Sequence, residues 1–491
     1  MLLKEILIKN QNNNKVAIYH EDKSITYKEL FLRSNKLSNE LKLLTKQNIA
    51  IFTSNSIEYA ISYFSITMAN KIIVPINPKC KDQEINTELK YCDIGLIITT
   101  SHYIQMLKDI VIDKDITILN ISMFDKNFDF KSLRTNGIKE EVLCDDTAIM
   151  LHTSGSTSNP KRVMLSHKNL ISNLRSNIDS LELTKDEKTL ITLPMFFGYC
   201  NTSQFLTSIY LGAQIIIMNG MFKSNLFMEF VKRDKITNTT LVPHMLIMLL
   251  DYIKNSEKTF ENLSLRYICF GGSKMPIEKL KQIMDILPSI EFIHTYGQTE
   301  ASPRITALLA KDSKRKIGSI GKVIPRVSLR IVNGFNEDVK SGEVGEIIVS
   351  GDNIMKGYYN KKAETDKVIR NGWLYTGDLG KYDSEGYLYI TGRKKNLIIS
   401  GSYNIYPEEI EEFLMNIHYI KNALVFGIKD DLYGELIHAK IVLKKEYSGK
   451  INKKDLMKYM VKNLMINKVP CDVEFVESLD KTLNGKVKRY I

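Results

Sequence analysis

LRYICFGGSKMPIEKLKQIMDILPSIEFIHTYG (265–297) reads as a strand, a helix and a second strand. LRYICFGG (265–272) is a short apolar run closed by glycines. PIEKLKQIMDIL (276–287) spaces its apolar residues three and four apart, the mark of an amphipathic helix, and EFIHTYG (291–297) is again strand-like. The alternation extends back to residue 143 through AIML (148–151), TLITLP (189–194), AQIIIM (213–218) and TTLVP (239–243). Between these runs lie KNLISNLRSNIDSLEL (168–183), SNLFMEFVKRDK (224–235) and HMLIMLLDYI (244–253), all helical in pattern. Strands joined through helices predict a layered α/β fold with a largely parallel sheet. Residues 26–100 repeat the theme, with helices expected near 28–44 and 57–69 and strands near 48–52 and 71–75.

After about residue 318 the texture changes to short strands between turns, VSLRIVN, GEVGEIIVSG and EGYLYITG, which predict a β-rich subdomain. The last hundred residues read as an α+β lobe: strand KNLIIS, helix PEEIEEFLMNI, strands NALVFGI and HAKIVLKK, helix NKKDLMKYMVKNLM and strand CDVEFVE. The charged segment GRKKN (392–396) is the expected hinge, dividing the chain at 1–394 and 395–491.

With 491 residues, 44% apolar and 25% charged, the chain is long enough for sizeable cores and excludes collagen-like, mucin-like and mainly disordered classes. No apolar run reaches the about 18 residues of a membrane span. The start, MLLKEILIKNQNNN, lacks the h-region of a signal peptide, so a cytoplasmic protein is expected. The net charge of +12 comes from scattered lysines rather than basic runs, so no nucleic-acid partner is expected, while phosphate ligands suit the field. Six cysteines, at 80, 92, 144, 200, 269 and 471, form no CxxC pair and no zinc-ligand spacing, which fits a reduced compartment.

Five segments carry candidate chemistry. LHTSGSTSNPKRV (151–163) follows a strand and ends in a lysine before a new helix. Gly155 lets backbone approach a ligand, the hydroxyls of Thr153, Ser154, Ser156 and Thr157 can wrap phosphate oxygens, and Lys161 adds charge. It lacks Walker A spacing, and an ordinary polar turn is its plain alternative. In YGQTEAS (296–302), at the end of a sheet strand, Tyr296 offers a face to a base, Thr299 a hydroxyl to a phosphate and Glu300 a hard oxygen to Mg2+. A helix start capped by Thr299 or Ser302 accounts for the same residues. In WLYTGDLG (373–380), Asp378 can accept two ribose hydroxyls or simply shape the turn. TGRKKNLIISGSYNIYPEEIE (391–411) sets Arg393 beside the hinge, and Asn484-Gly485 in LDKTLNGKVKR (479–489) makes a tight loop presenting Lys486. Singly, each of these cations is usually a surface charge.

In this order and separation the five segments resemble the adenylate-forming superfamily of acyl-CoA synthetases, luciferases and peptide-synthetase adenylation domains, over almost the whole chain. ITYKEL (25–30), ANKIIVPINP (69–78) and GEIIVSGDNIMKGYYN (345–360) look like further motifs of it. The resemblance implies a large N-terminal AMP-binding domain with layered sheets and a small mobile C-terminal lobe. It implies that ATP and Mg2+ convert a small carboxylic acid to an acyl-adenylate, which the thiol of coenzyme A, or a carrier-protein phosphopantetheine, then captures. It assigns Thr153 to Lys161 to the β- and γ-phosphates, Thr299 to the α-phosphate, Glu300 to Mg2+, and Tyr296, Gly272 and Ser273 to adenine. Asp378 and Arg393 fall to the ribose, Lys486 to the reacting carboxylate and α-phosphate, Lys395 to the hinge and Gly401 to the thiol tunnel.

The chain departs from that pattern in four places. Ser158 and Arg162 replace glycines of the phosphate loop, Arg162 being either solvent-facing or an added phosphate contact. Asn396 replaces a common Asp, and Ser402 a frequent Gly. LPMFFGYCNTSQF (193–205) matches the region that closes over the substrate carboxylate. It has neither the His frequent at Phe197 nor the Asp near Gly198 that binds an α-amino group, which disfavours a free amino acid. Phe196, Phe197, Tyr199 and Cys200, with His244 and Met245, predict a mostly apolar or aromatic wall. His244 and His167 also read plainly, as a helix-start residue and as surface capping beside Ser166. A stand-alone acid–CoA ligase is the first reading; a ligase loading an acyl carrier protein and a silent nucleotide-binding protein are the others.

Overall fold

The computed structural model describes residues 1–123, 146–152, 161–256, 263–401, 403–480 and 487–489. A nine-stranded sheet runs, in spatial order, through Lys322–Val323, Arg304–Leu308, Glu291–Gly297, Tyr267–Gly271, Asn238–Leu241, Lys188–Ile191, Gln214–Ile217, Val16–His20 and Lys23–Thr26. Its strands from Glu291–Gly297 to Val16–His20 are parallel and its edges antiparallel. A seven-stranded sheet follows the order Gly357–Tyr358, Arg162–Ser166, Thr147–His152, Ile72–Pro75, Asn48–Phe52, Ile94–Thr99 and Thr117–Asn120, and is parallel apart from its first two pairings. The layered, largely parallel α/β expectation holds. The alternating region nevertheless divides between two sheets, because Thr147–His152 pairs with early strands while the later ones recruit Val16–His20.

Helix Ile57–Met68 shows why the sheets stack. Every residue in it except Glu58 is buried, so it has no solvent face and must lie inside the core. Tyr59, Tyr63 and Phe64 meet Phe205 with ring centroids 5.3–6.2 Å apart. Helix Tyr27–Leu41 starts at a capping box: Thr26 Oγ1 accepts from Glu29 N at 3.2 Å, and Glu29 Oε2 accepts from Thr26 N at 2.8 Å.

Beyond residue 326 an antiparallel sheet of Val327–Val332, Gly345–Gly351, Trp373–Tyr382, Ile369–Arg370 and Leu388–Arg393 forms the expected β-rich unit. The C-terminal segment builds a separate core around Ile398, Ile410, Leu414, Val425, Ile441 and Met460. Its sheet pairs Ile420–Asp430, Gly434–Leu443, Ile398–Ser400 and Tyr403–Ile405 antiparallel, with Asp472–Phe475 parallel to Gly434–Leu443. Helices Pro407–Met415 and Lys453–Asn463 contribute Ile410, Leu414 and Met460 to that core.

One local expectation fails. Lys161 does not lead straight into a helix: strand Arg162–Ser166 first folds back antiparallel on Thr147–His152, and helix His167–Leu181 follows. RVMLS was hidden as a strand because it is short and abuts a stronger helical pattern. His167 is not a surface cap either; its Nδ1 accepts from Leu3 N at 3.2 Å, and burial pushes its pKa down to about 4.

Candidate active site

The C-terminal ends of the parallel strands carry the candidate site, as open α/β sheets do. Strand Tyr267–Gly271 delivers Gly272, whose φ of +87° suits glycine, and the exposed Ser273. Neighbouring strand Glu291–Gly297 delivers Tyr296, and the turn after it Thr299 and Glu300. Tyr296 OH donates to Asp378 Oδ2 at 2.8 Å. Asp378 is 4% exposed and stands opposite Arg393 in the antiparallel pair, its Oδ1 accepting from Arg393 Nε at 2.7 Å. Arg393, half exposed, has its pKa raised by Asp378, and burial followed by Asp378 raises that of Tyr296. An aromatic ring, a carboxylate and a guanidinium thus meet where three sequence-distant segments converge. A carboxylate is an acceptor for both hydroxyls of a vicinal diol.

Glu300 Oε1 accepts from Tyr358 OH at 2.9 Å, and burial raises the Glu300 pKa. Among the described residues no three His, Cys, Asp or Glu side chains cluster as a metal cage. The Glu300 carboxylate and the hydroxyl of the preceding Thr299 are oxygen donors of the kind that suit Mg2+, which takes one or two carboxylates and completes its shell with phosphates and water. Tyr358 also places its ring 4.9 Å beneath Lys161 Nζ, which pairs with Glu364 Oε2 at 2.9 Å. Lys161 and Lys367 hold the Glu364 carboxyl at about 2. Neither Tyr358 nor Glu364 was singled out in the sequence; GYYN (357–360) was the one signal for the tyrosine.

The segment expected over the substrate does come against Thr299. A Cβ on Gly198 would lie 3.8 Å from Thr299 Oγ1 and 3.3 Å from Leu151 Cδ1. The Phe196 and Phe197 rings beside it lie 4.7 Å apart, tilted at 60° to one another, and Tyr199 OH shares a 2.6 Å hydrogen bond with Thr295 Oγ1. Cys200 departs from the expectation: it is fully buried in the helical core near Tyr59, and burial pushes its thiol pKa up. His244 is exposed at the start of helix Pro243–Lys254, whereas Met245 is buried. The apolar-wall reading therefore rests on Phe196, Phe197 and Tyr199.

Arg162 is neither solvent-facing nor a phosphate contact. It is 1% exposed, and its Nε donates to Glu88 Oε2 at 2.7 Å while Nη1 donates to Pro75 O at 2.9 Å and Met150 O at 3.1 Å. Glu88 Oε1 lies 3.3 Å from His152 Nε2. Burial alone would raise the Glu88 pKa, but His152 and Arg162 bring it down to about 2. The side chain at a position expected to hold glycine turns inward from its strand to meet a carboxylate on helix Asp82–Tyr91.

Thr153, Ser154, Gly155, Ser156, Thr157, Ser158, Ser402 and Lys486 lie outside the described residues. Arg489, three residues beyond Lys486, donates to Glu411 Oε2 at 2.5 Å. Lys395 is exposed in the short turn Lys394–Asn396. Asn396 donates to Glu408 Oε1 at 2.9 Å. Gly401 has φ +60° and its N–H donates to Tyr433 O at 2.6 Å.

A family model described as AMP-binding enzyme matches residues 8–359, and one for the AMP-binding enzyme C-terminal domain matches residues 409–486. A long-chain-fatty-acid–CoA ligase of Bacillus subtilis is 31% identical, with 97% of this chain and 91% of that protein covered. A 2-succinylbenzoate–CoA ligase of Oceanobacillus iheyensis is 33% identical over 97% and 96%. The solved structure of o-succinylbenzoate CoA synthetase from Bacillus subtilis, in complex with ATP and magnesium ion, superposes with TM-score 0.85 at 27% identity, covering 99% of this chain and 98% of that one.

Proposed function

The chain belongs to the family of AMP-binding enzymes and is an AMP-forming acid–CoA ligase, and from that premise we propose how its own residues divide the work. The reaction has two halves. A carboxylate attacks the α-phosphorus of ATP to give an acyl-adenylate and pyrophosphate; the thiol of coenzyme A then displaces AMP. The first half presses an anion against a polyanion, so it needs donors and positive charge fixed in place.

Asp378 takes the ribose hydroxyls, held in position by Tyr296 OH and Arg393. Tyr296, Gly272 and Ser273 line the adenine. Thr153, Ser154, Gly155, Ser156 and Thr157 wrap the terminal phosphates, and Lys161 joins them by leaving Glu364, a half-exposed pair that costs little to break. Thr299 binds the α-phosphate. Glu300 holds Mg2+, which when bound neutralises phosphate charge. Lys486 bridges the carboxylate and the α-phosphate. Phe196, Phe197 and Tyr199 cover the acid and exclude water from the adenylate.

The lobe 395–491 turns about Lys395 against 1–394, withdrawing Lys486 and bringing Gly401 to line the thiol path. Among the described residues, no helix is long and apolar enough to cross a membrane, and Cys80, Cys92, Cys200, Cys269 and Cys471 are free thiols. We place the enzyme in the cytoplasm on that thiol pattern.

The observation that carries the reading is the convergence of Tyr296 and Arg393 on the Asp378 carboxylate, near Thr299 and Glu300. Acid-dependent exchange of pyrophosphate into ATP over a panel of acids tests the first half. AMP release with coenzyme A or a carrier-protein phosphopantetheine as acceptor tests the second. Exchange with one acid class and faster turnover with coenzyme A are expected. No exchange with any acid would leave a nucleotide-binding protein, and turnover with the carrier protein alone would move the acceptor.

A further inference from the structure

Tyr358 touches two groups to which the reaction gives separate tasks. It lies on strand Gly357–Tyr358, at the edge of the seven-stranded sheet, and the backbone around it is fixed on several sides. Tyr358 stands opposite Val163 in the antiparallel pair, and the amides of Lys356 and Tyr359 donate to Met164 O at 3.0 Å and Arg162 O at 2.8 Å. The amide of Met355 donates to Glu300 O at 2.9 Å, which ties the same segment to the turn carrying the Mg2+ carboxylate. Tyr358 N donates to Thr365 Oγ1 at 2.9 Å, on helix Lys362–Val368, the helix that also carries Glu364. Glycine at 357 permits that approach: a Cβ there would lie 2.7 Å from Thr365 Cγ2.

From this anchor the Tyr358 side chain, 7% exposed, reaches both functional segments. Its hydroxyl donates to Glu300 Oε1 at 2.9 Å, and its ring face lies 4.9 Å from Lys161 Nζ. The two contacts act differently. A hydrogen bond to one oxygen of a metal-binding carboxylate fixes which way the group faces. The electron-rich face of a ring holds a cation in place without neutralising it, so the charge stays available to a phosphate. Tyrosines in cores commonly satisfy their hydroxyl on whatever acceptor is near. Here the acceptor is the carboxylate assigned to Mg2+, and the same ring supports the lysine assigned to the terminal phosphates.

We propose that Tyr358 is a positioning residue that holds Glu300 and Lys161 in one register, so that the metal-binding carboxylate and the phosphate-binding ammonium meet the nucleotide together. This rests on the ligase reading, in which Glu300 holds Mg2+ and Lys161 the terminal phosphates. Tyr358 acts through those two side chains.

Titration calorimetry of ATP, with Mg2+ present and with it removed by a chelator, tests this on the native protein, Tyr358→Phe and Tyr358→Leu. Phenylalanine keeps the ring and removes the hydroxyl; leucine removes both. In Tyr358→Phe the Kd for ATP should rise about tenfold or more with Mg2+ and stay near native without it, the usual loss when a carboxylate ligand loses its hydrogen-bond partner. Tyr358→Leu should in addition weaken ATP about two- to fivefold without Mg2+, the worth of a partly exposed cation–π contact. A native Kd with Mg2+ in Tyr358→Phe overturns the proposal, as does equal weakening with and without the metal, which a merely structural tyrosine would give. A Tyr358→Leu protein that matches Tyr358→Phe without Mg2+ overturns the part given to the ring. Tyr358→Phe, which keeps the core filled, decides alone if Tyr358→Leu does not fold. Failure of the Mg2+ assignment is distinguishable, because the native protein itself would then bind ATP equally with and without the metal.

Discussion

At the scale of single residues, Asp378 ties the candidate site together. Its turn, WLYTGDLG, marked it as a diol acceptor or a turn former. The structure adds what no local pattern could: Tyr296 OH, from a distant strand, donates to one carboxylate oxygen, and Arg393 to the other. Asp378→Asn keeps the shape and removes the charge. We expect kcat/KM for ATP to fall about 10- to 100-fold, the worth of hydrogen bonds to a charged group, while KM for the acid changes little. Initial rates with each substrate varied in turn check this, and equal losses for ATP and acid would contradict it. Cys200 shows the converse. One helical step separates it from Tyr199, and a residue list cannot tell which of the two faces the site.

At the scale of elements, the hairpin of Thr147–His152 and Arg162–Ser166 holds both stems of the Ser/Thr-rich loop. Arg162 looked like a damaged glycine because the sequence gives no hint that Glu88, on helix Asp82–Tyr91, waits for it. The pair is internal and fully bonded, so removing one partner strands the other's charge. Arg162→Ala should destabilise the protein by about 3–5 kcal/mol, whereas Arg162→Met with Glu88→Leu should cost much less than the two single changes summed. Urea denaturation of the four proteins checks it; additive losses would mean that the two side chains act independently. The overlooked strand RVMLS has the same origin, since its partner lies across a loop and its own length is too short to announce it.

At the scale of the whole molecule, the layered α/β body, the β-rich unit and the C-terminal α+β lobe were legible in the alternation of strands and helices. The division of strands between two sheets was not, because parallel pairing is decided by packing across the core. Stability against pH also belongs here. His167 and His294 are held neutral by burial, each with its pKa pushed down to about 4 from the usual 6.5. Unfolded, they take up protons near 6.5, so the stability they leave intact above that pH is lost as pH falls towards about 4, by ~1–3 kcal/mol each. Glu88, held at about 2, acts in the same direction at lower pH. Thermal denaturation between pH 7 and 4 should show a falling midpoint, and His167→Gln should flatten the fall; an unaltered slope would contradict this.

The central claim is that Lys486 assists the first half-reaction and withdraws for the second. Its most direct measurement takes Lys486→Ala through the two halves separately, pyrophosphate exchange on one side and thiolysis of a supplied acyl-adenylate by coenzyme A on the other. We expect exchange to fall roughly 10²- to 10³-fold, as on loss of one transition-state donor, with thiolysis near its native rate. Equal loss in both halves would contradict the assignment.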